Sequence, residues 1–125
     1  MDITLLCIGD VVGRPGRSVL SQAVPKLVKE RGVDCVIANL ENAAAGSGMT
    51  GELYDKFLLY GVHLITMGDH IYRRRELIPI LQQSDRIVRP ANYPAEAAGR
   101  TFAVYKTGRG PSVAVVSLQG RLYMK

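Results

Sequence analysis

The chain has 125 residues, a net charge of +5, a sequence pI near 9.5 and 47% hydrophobic residues. This size and balance predict one soluble folded domain over residues 1–125 and exclude an intrinsically disordered chain. No apolar run approaches the roughly 18 residues of a membrane span, and the N-terminus has no secretory-signal pattern, so we expect a cytoplasmic protein with no membrane partner.

Three short apolar runs follow one another in the first half of the chain. They cover residues 3–9, 35–40 and 62–68, and each precedes a polar or glycine-rich turn and a segment with helical spacing. Continuous apolar runs of this length are typical of strands buried on both faces, as in a parallel sheet. The alternation therefore predicts an α/β layered fold, with parallel strands joined by right-handed crossover helices.

The helical segments have recognisable ends. The first stops before Gly32, a residue type that commonly caps helix C-termini. Pro25 lies inside this segment and is predicted to kink the helix or to separate its first turns. A second helix is predicted over about residues 50–60, and a third is predicted to begin near Ile71.

After Ser84 the pattern changes to short strands. Residues 86–94 indicate a strand and a proline-punctuated loop, and residues 100–119 indicate two strands joined by a Gly-Pro turn, hence a β-hairpin. A sheet ending with this hairpin would expose apolar surface and an open edge. We therefore expect a chain truncated at its C-terminus, or a half-domain that dimerises through residues 112–119.

Two residue types inside the apolar runs are expected to be structural. Cys7 and Cys35 are predicted to be reduced, buried packing thiols, because neither belongs to a Cys-x-x-Cys metal spacing. His63 also lies within a strand-like run and is predicted to have a structural role.

Polar side chains follow each of the three predicted strands. Asp10 ends the first, Glu41 and Asn42 end the second, and Asp69 and His70 end the third. Because parallel strands bring their carboxyl ends to one sheet edge, these groups are expected to lie close together. Three carboxylates repel one another without a cation, and oxygen ligands with an imidazole suit divalent Mn, Fe or Mg. The pattern favours a metal or catalytic site.

Each of these groups also has a purely structural interpretation. Asp10 could cap the turn after its strand, and Glu41 with Asn42 could form a helix-entry turn. Asp69 could be the N-cap of a helix starting at Ile71. The convergence of all of them at one edge favours the functional interpretation.

Glycines and arginines surround the candidate site. Arg14 and Arg17 lie beside glycines near a predicted helix start, where backbone N–H groups and guanidinium groups can face a phosphate. Residues 42–50 form a small-residue loop, either a close-approach surface for a ligand or a flexible connection. In the arginine run 73–75, helical spacing would turn at most one or two side chains toward the site, and Arg73 is our candidate substrate contact.

Five segments carry a family resemblance. In order, IGDVVGRPGR, NLENAAAGSGMT, ITMGDHIY, IVRPANYP and VSLQGR resemble the successive motifs of the YmdB-like family of calcineurin-type metallophosphoesterases, over about residues 3–121. The resemblance implies a layered metallophosphoesterase sandwich with two divalent metal ions. It also implies hydrolysis of phosphodiesters, with 2′,3′-cyclic nucleotides as the substrate class, and a connection to RNA turnover.

The resemblance also implies a role for each candidate residue. Asp10 and Asn42 would bind the first metal ion, Asp69 the second, and Glu41 would bridge the two. His70 would protonate the leaving oxygen after in-line attack by metal-bound hydroxide. An imidazole suits this proton transfer because its unperturbed pKa lies near 6.5.

Two features depart from the family pattern. Asp69 stands where the family has Asn, which adds one negative charge to the site. The family completes its site with three histidines from a C-terminal half that lies outside these 125 residues. The chain is therefore expected to supply about half of a dinuclear site and to be weakly active or inactive in isolation.

Two functions of other classes stay open at this point. One is a non-catalytic nucleotide- or RNA-binding module that uses the basic surface around Arg14, Arg17 and the arginine run 73–75. The other is a structural half-domain completed by a second copy, hence a homo-oligomer.

Overall fold

The computed structural model describes residues 2–124 of the chain. A parallel sheet of four strands lies at its centre, in the order β1-β2-β3-β4. The strands are β1 (Leu5–Ile8), β2 (Cys35–Asn39), β3 (Leu64–Thr66) and β4 (Ile87–Val88). The predicted parallel α/β architecture is confirmed, and every strand ends at the same edge of the sheet.

Helices connect these strands. Helix α1 (Gly13–Arg31) joins β1 to β2, α2 (Gly51–Tyr60) joins β2 to β3, and α3 (Ile78–Gln83) precedes β4 after a 3₁₀ turn over Arg75–Leu77. Gly32 ends α1 in the left-handed conformation, as its predicted capping role requires. None of these helices, within residues 2–124, is long and apolar enough to cross a membrane.

Two helix predictions are corrected by the structure. Pro25 does not separate the first turns of α1, which is continuous through it, while a kink there stays a prediction. The residue is exposed, so solvent can satisfy the carbonyl that proline leaves without a partner. The third helix does not begin near Ile71, because residues 69–74 form turns. Pro79 lies in the first turn of α3, where proline is favoured, and this places the helix start several residues later.

The sheet separates two apolar layers. On one face, α1, α2 and α3 pack against alternate strand residues, and each fully buried large side chain there contributes roughly 1.5–3 kcal/mol. The main contributors to this layer are Leu20, Val24, Val36, Ala38, Phe57, Ile65, Leu81 and Ile87.

The predicted β-hairpin is present, and it covers the other face of the sheet. Its antiparallel strands are β5 (Phe102–Lys106) and β6 (Ser112–Val116). The inner side of the hairpin packs on β2, β3 and β4 through a second apolar cluster. The outer side carries exposed apolar side chains, which no other described residue covers: Phe102, Val104, Val116 and Leu118.

The two cysteines differ in their environment. Cys35 is fully buried, as predicted. Burial, and to a smaller extent the charge of a neighbouring Cys7 thiolate, raises the pKa of Cys35 to about 11, so it stays a neutral thiol near neutral pH. The prediction that Cys7 is buried is wrong. Strand β1 is an edge strand, and the hairpin does not reach the side of β1 that carries Cys7 and the exposed Leu5.

His63 ties β2 to the start of β3. Its Nδ1 accepts a hydrogen bond from the backbone N–H of Val36 at 2.9 Å, and its ring stacks on Tyr105 with the centroids 4.2 Å apart. The hydrogen bond suits the neutral ring, because Nδ1 must carry no proton in order to accept from Val36. Burial, followed by the positive charge of Arg86, lowers the pKa of His63 below 6.5.

This environment makes stability depend on pH. Because the pKa of His63 is lower in the folded than in the unfolded chain, unfolding takes up a proton as the pH falls below 6.5. We expect the free energy of unfolding to decrease from about pH 6.5 to about pH 5. His63→Gln, whose side-chain oxygen can still accept from Val36, should show a shallower decrease in Tm. Equal slopes for the two proteins over this range would contradict the expectation.

Candidate metal centre

The five polar side chains from the strand ends meet at the carboxyl edge of the sheet. Asp10 follows β1, Glu41 and Asn42 follow β2, and Asp69 and His70 follow β3. One side-chain ligand atom each from Glu41, Asp69 and His70 lie within 4.8 Å of one another. Hydrogen bonds of Asn42 connect Asp10 to the same group. The structure thus brings all five together, while their chemical roles stay predictions.

The carboxamide of Asn42 orients both of its neighbours. Its Nδ2 donates to Oδ1 of Asp10 at 2.7 Å, and its Oδ1 lies in close contact with Nδ1 of His70. Since Oδ1 can only accept, Nδ1 of His70 carries the proton of this contact. The other ring nitrogen, Nε2, then lies 3.8 Å from Oδ2 of Asp69.

The backbone at Asp10 is in an unusual conformation. Its φ of 31° lies in the left-handed region, which residues other than glycine seldom adopt. Such conformations recur at functional sites, where the surrounding structure enforces them. Here the turn leads from β1 into α1 and places the Asp10 carboxylate against Asn42.

Glu41 is held by groups from two strands. Its Oε1 accepts from Nδ2 of Asn39 at 3.1 Å, and its Oε2 accepts from the backbone N–H of His70 at 3.2 Å. Gly68 leaves the space for this carboxylate, because a Cβ at that position would lie 2.8 Å from Cδ of Glu41. The position of Glu41 therefore depends on the absence of a side chain at residue 68.

Asn39 and Gly68 were not among the predicted site residues. For Asn39 a signal was present, since it is the one polar residue in the strand CVIAN. A glycine precedes the aspartate at two of the three strand ends, Gly9 before Asp10 and Gly68 before Asp69. The space available at each glycine could not be read from that pattern.

Two arginines hold the small-residue loop after β2. Nη1 of Arg17 donates to the carbonyl of Ala43 at 2.6 Å. Arg74 donates from Nε to the carbonyl of Ser47 and from Nη2 to the carbonyl of Ala44, both at 3.2 Å. These bonds connect the loop to α1 and to the segment after β3.

The arginine run lies in turns and at the start of the 3₁₀ turn, so the helical spacing predicted for it is wrong, although all three residues are exposed. Arg73, the predicted substrate contact, is exposed, whereas Arg74 reaches the loop. Arg14 and Arg17 line a groove of about 250 Å³ between α1 and α2, together with Lys56. The substrate role of Arg14, Arg17 and Arg73 stays a prediction.

The donor set fits a divalent metal ion. Asp10, Glu41 and Asp69 bring three carboxylates to one site, and among residues 2–124 no lysine or arginine forms an ion pair with any of them. Oxygen donors of this kind suit a hard divalent cation, which would offset their negative charge. Carboxylate and amide oxygens with one imidazole are ligands that Mg, Mn and Fe accept.

Comparison with known proteins gives one family. A family model described as YmdB-like protein matches residues 6–125. A 2′,3′-cyclic-nucleotide 2′-phosphodiesterase of Bacillus subtilis (strain 168) is 38% identical over 120 residues, which cover 96% of this chain and 45% of that protein.

Two solved structures have the same fold. A crystal structure of a hypothetical protein from Thermus thermophilus matches with a TM-score of 0.89 and 36% identity, over 97% of this chain and 46% of that one. A novel phosphatase from Mycoplasma pneumoniae matches with a TM-score of 0.86 and 26% identity, over 98% and 46%. The chain thus spans slightly less than half the length of these relatives.

Proposed function

Because the chain belongs to the YmdB-like family, we propose that it contributes to a metal-dependent phosphodiesterase. The proposed substrates are nucleoside 2′,3′-cyclic phosphates or related phosphodiesters, the class named for the Bacillus subtilis relative. The observation that carries this proposal is the approach of Glu41, Asp69 and His70 to within 4.8 Å of one another at the sheet edge. The proposed enzyme is a hydrolase.

The proposed metal ligands are the oxygen donors of this edge. Asp10 and Asn42 would hold one divalent ion, Asp69 the other, and Glu41 would bridge them; iron, manganese and magnesium match these donors. When bound, the ions would lower the pKa of a water molecule and offset negative charge on the phosphoryl oxygens.

His70 is the proposed acid. Its Nδ1 contacts Asn42, which fixes the ring orientation and leaves Nε2 as the nitrogen that exchanges a proton with substrate. Water would add to phosphorus and release one proton to solvent, the bond between phosphorus and the leaving ribose oxygen would break, and the proton from Nε2 would end on that oxygen. Nε2 would then regain a proton from solvent. A positioned acid of this kind contributes roughly 10²–10⁴-fold to the rate.

The three arginines predicted as substrate contacts have a proposed electrostatic role. Arg14, Arg17 and Arg73 add to a net charge of +5 and would raise the local concentration of an anionic substrate. We propose further that the chain supplies about half of the dinuclear site. The other ligands would come from another part of the protein or from a second copy.

Metal removal tests the proposed function. The protein at its full encoded length would be assayed with adenosine 2′,3′-cyclic phosphate, before and after chelation and after addition of Mn²⁺, Fe²⁺ or Mg²⁺. We expect hydrolysis to fall to background on chelation and to return with one of these ions. A protein that retains bound metal yet hydrolyses no phosphodiester would overturn the proposal.

The groove formed by Arg14, Arg17 and Lys56 favours a second candidate, a non-catalytic nucleotide- or RNA-binding module. Such a module would bind RNA in the presence of a chelator, with an affinity that falls steeply with salt. Asp10→Ala and Glu41→Ala would leave that affinity unchanged. Loss of RNA binding on chelation would exclude this candidate.

A further inference from the structure

A cleft of about 710 Å³ opens beside Asp69. Asn92 and Tyr93, from the loop after β4, form one wall, and Gln119 and Arg121, after β6, contribute to another. Pockets of roughly 300–1,000 Å³ accept small organic ligands. The cleft is therefore large enough for a nucleoside, and it adjoins the candidate metal centre at Asp69.

The two walls are joined to each other. Nδ2 of Asn92 donates to the carbonyl of Gln119 at 2.8 Å, and the backbone N–H of Gln119 donates back to Oδ1 of Asn92 at 2.9 Å. A third bond runs from the backbone N–H of Ala91 to the carbonyl of Ser117 at 2.8 Å. These bonds fix the spacing of the walls, so the cleft is formed before any ligand enters.

Tyr93 is the one aromatic side chain among the described residues that line the cleft. The ring of Tyr72 lies beside it at an interplanar angle of 38°, with the centroids 6.3 Å apart, and the Tyr72 hydroxyl donates to the carbonyl of Ala98 at 2.6 Å. A tyrosine ring is neutral near neutral pH, because the unperturbed phenol pKa is about 10. A neutral aromatic ring that lines the cleft and packs against a second ring is a suitable stacking surface for a base.

We propose that this cleft binds the nucleoside part of the substrate, with the base stacked on the ring of Tyr93. The inference rests on the proposed function, because it places the phosphodiester at the Asp69 end of the cleft. Asn92, Gln119 and Arg121 bring polar groups suited to ribose hydroxyls and base edges. Since every base has a π face, stacking on Tyr93 accepts purines and pyrimidines alike.

Kinetics with two substrates test the stacking. Adenosine 2′,3′-cyclic phosphate would be compared with the base-free 1-O-methylribose 2′,3′-cyclic phosphate, using the full-length protein. Tyr93→Leu keeps an apolar side chain against Tyr72 but removes the π face. We expect it to raise KM for the adenosine substrate by about 10-fold and to leave KM for the base-free substrate unchanged. Tyr93→Phe, which keeps the π face, should raise KM for the adenosine substrate much less than Tyr93→Leu does.

A binding measurement without metal gives an independent readout. Saturation-transfer NMR of adenosine in the presence of EDTA should show stronger transfer to the adenine protons than to the ribose protons. This difference should persist in Tyr93→Phe and disappear in Tyr93→Leu. Wild-type protein that transfers no saturation to adenine would overturn the inference, whether or not the leucine variant folds.

The outcomes separate the two proposals. If no phosphodiester is hydrolysed with any of the added metal ions, the proposed function fails. The NMR experiment then still decides whether adenosine binds on Tyr93. If hydrolysis is observed but Tyr93→Leu raises KM for both substrates equally, or for neither, the nucleoside assignment fails and the proposed function stands.

Discussion

Glu41→Gln is expected to remove both bound metal and phosphodiesterase activity while leaving the fold intact. The substitution keeps the shape of the side chain but replaces one acceptor oxygen by an NH₂ group and removes a negative charge. Groups that merely orient a metal ligand affect metal affinity or activity by roughly 10–100-fold. Loss of the proposed bridging ligand should therefore lower kcat/KM by more than about 100-fold. Metal content and hydrolysis measured on the same preparation test this.

Glu52→Gln is the matched control for this variant. Glu52 lies on α2, where its exposed side chain pairs with Lys56 at 3.1 Å. An exposed pair of this kind contributes little to stability, so this variant should keep wild-type metal content and turnover. Metal content and activity that survive in Glu41→Gln would contradict the bridging role.

Gly68→Ala is expected to impair the site without removing any ligand. The added methyl carbon would lie 2.8 Å from Cδ of Glu41, closer than non-bonded carbon atoms approach. The Glu41 carboxylate must shift, and with it the contact to the His70 backbone N–H. Because this displaces a ligand and does not delete it, we expect metal affinity and kcat/KM to fall by about 10–100-fold.

Gly9→Ala is the control, since Gly9 directly precedes Asp10 as Gly68 directly precedes Asp69. A Cβ at residue 9 would meet no heavy atom within 4 Å. Isothermal titration calorimetry of both variants with Mn²⁺ should show wild-type affinity for Gly9→Ala only. Similar affinities in the two variants would show that the contact between residue 68 and Glu41 does not position the carboxylate.

The strands could be predicted because their information is local. Three apolar runs gave β1, β2 and β3 to within two residues, and the turn residues of 100–119 gave the hairpin. The exposure of Cys7 could not be predicted in this way, because it depends on β1 being an edge strand. Strand order depends on contacts between distant parts of the chain, and the spacing of apolar residues within one segment does not predict it. The late start of α3 could have been read from Pro79.

For the candidate site, too, some residues could be predicted from the sequence and others could not. The five residues at the strand ends could be predicted to converge, since parallel topology alone brings strand ends together. The supporting residues could not, because Asn39 and Gly68 matter through the direction of one side chain and the space beside another. Tyr93 faces the site only because the loop after β4 folds back against the segment after β6.

The loop after β2 has a consequence for the thermodynamics of ligand binding. Besides the bonds from Arg17 and Arg74, backbone bonds link Ala44 to Gly48 and Gly46 to Asn42 within it. Its conformational entropy is therefore lost when the chain folds. A ligand that reaches Asn42 meets a preorganised wall, so the cost of ordering this loop does not reduce its affinity.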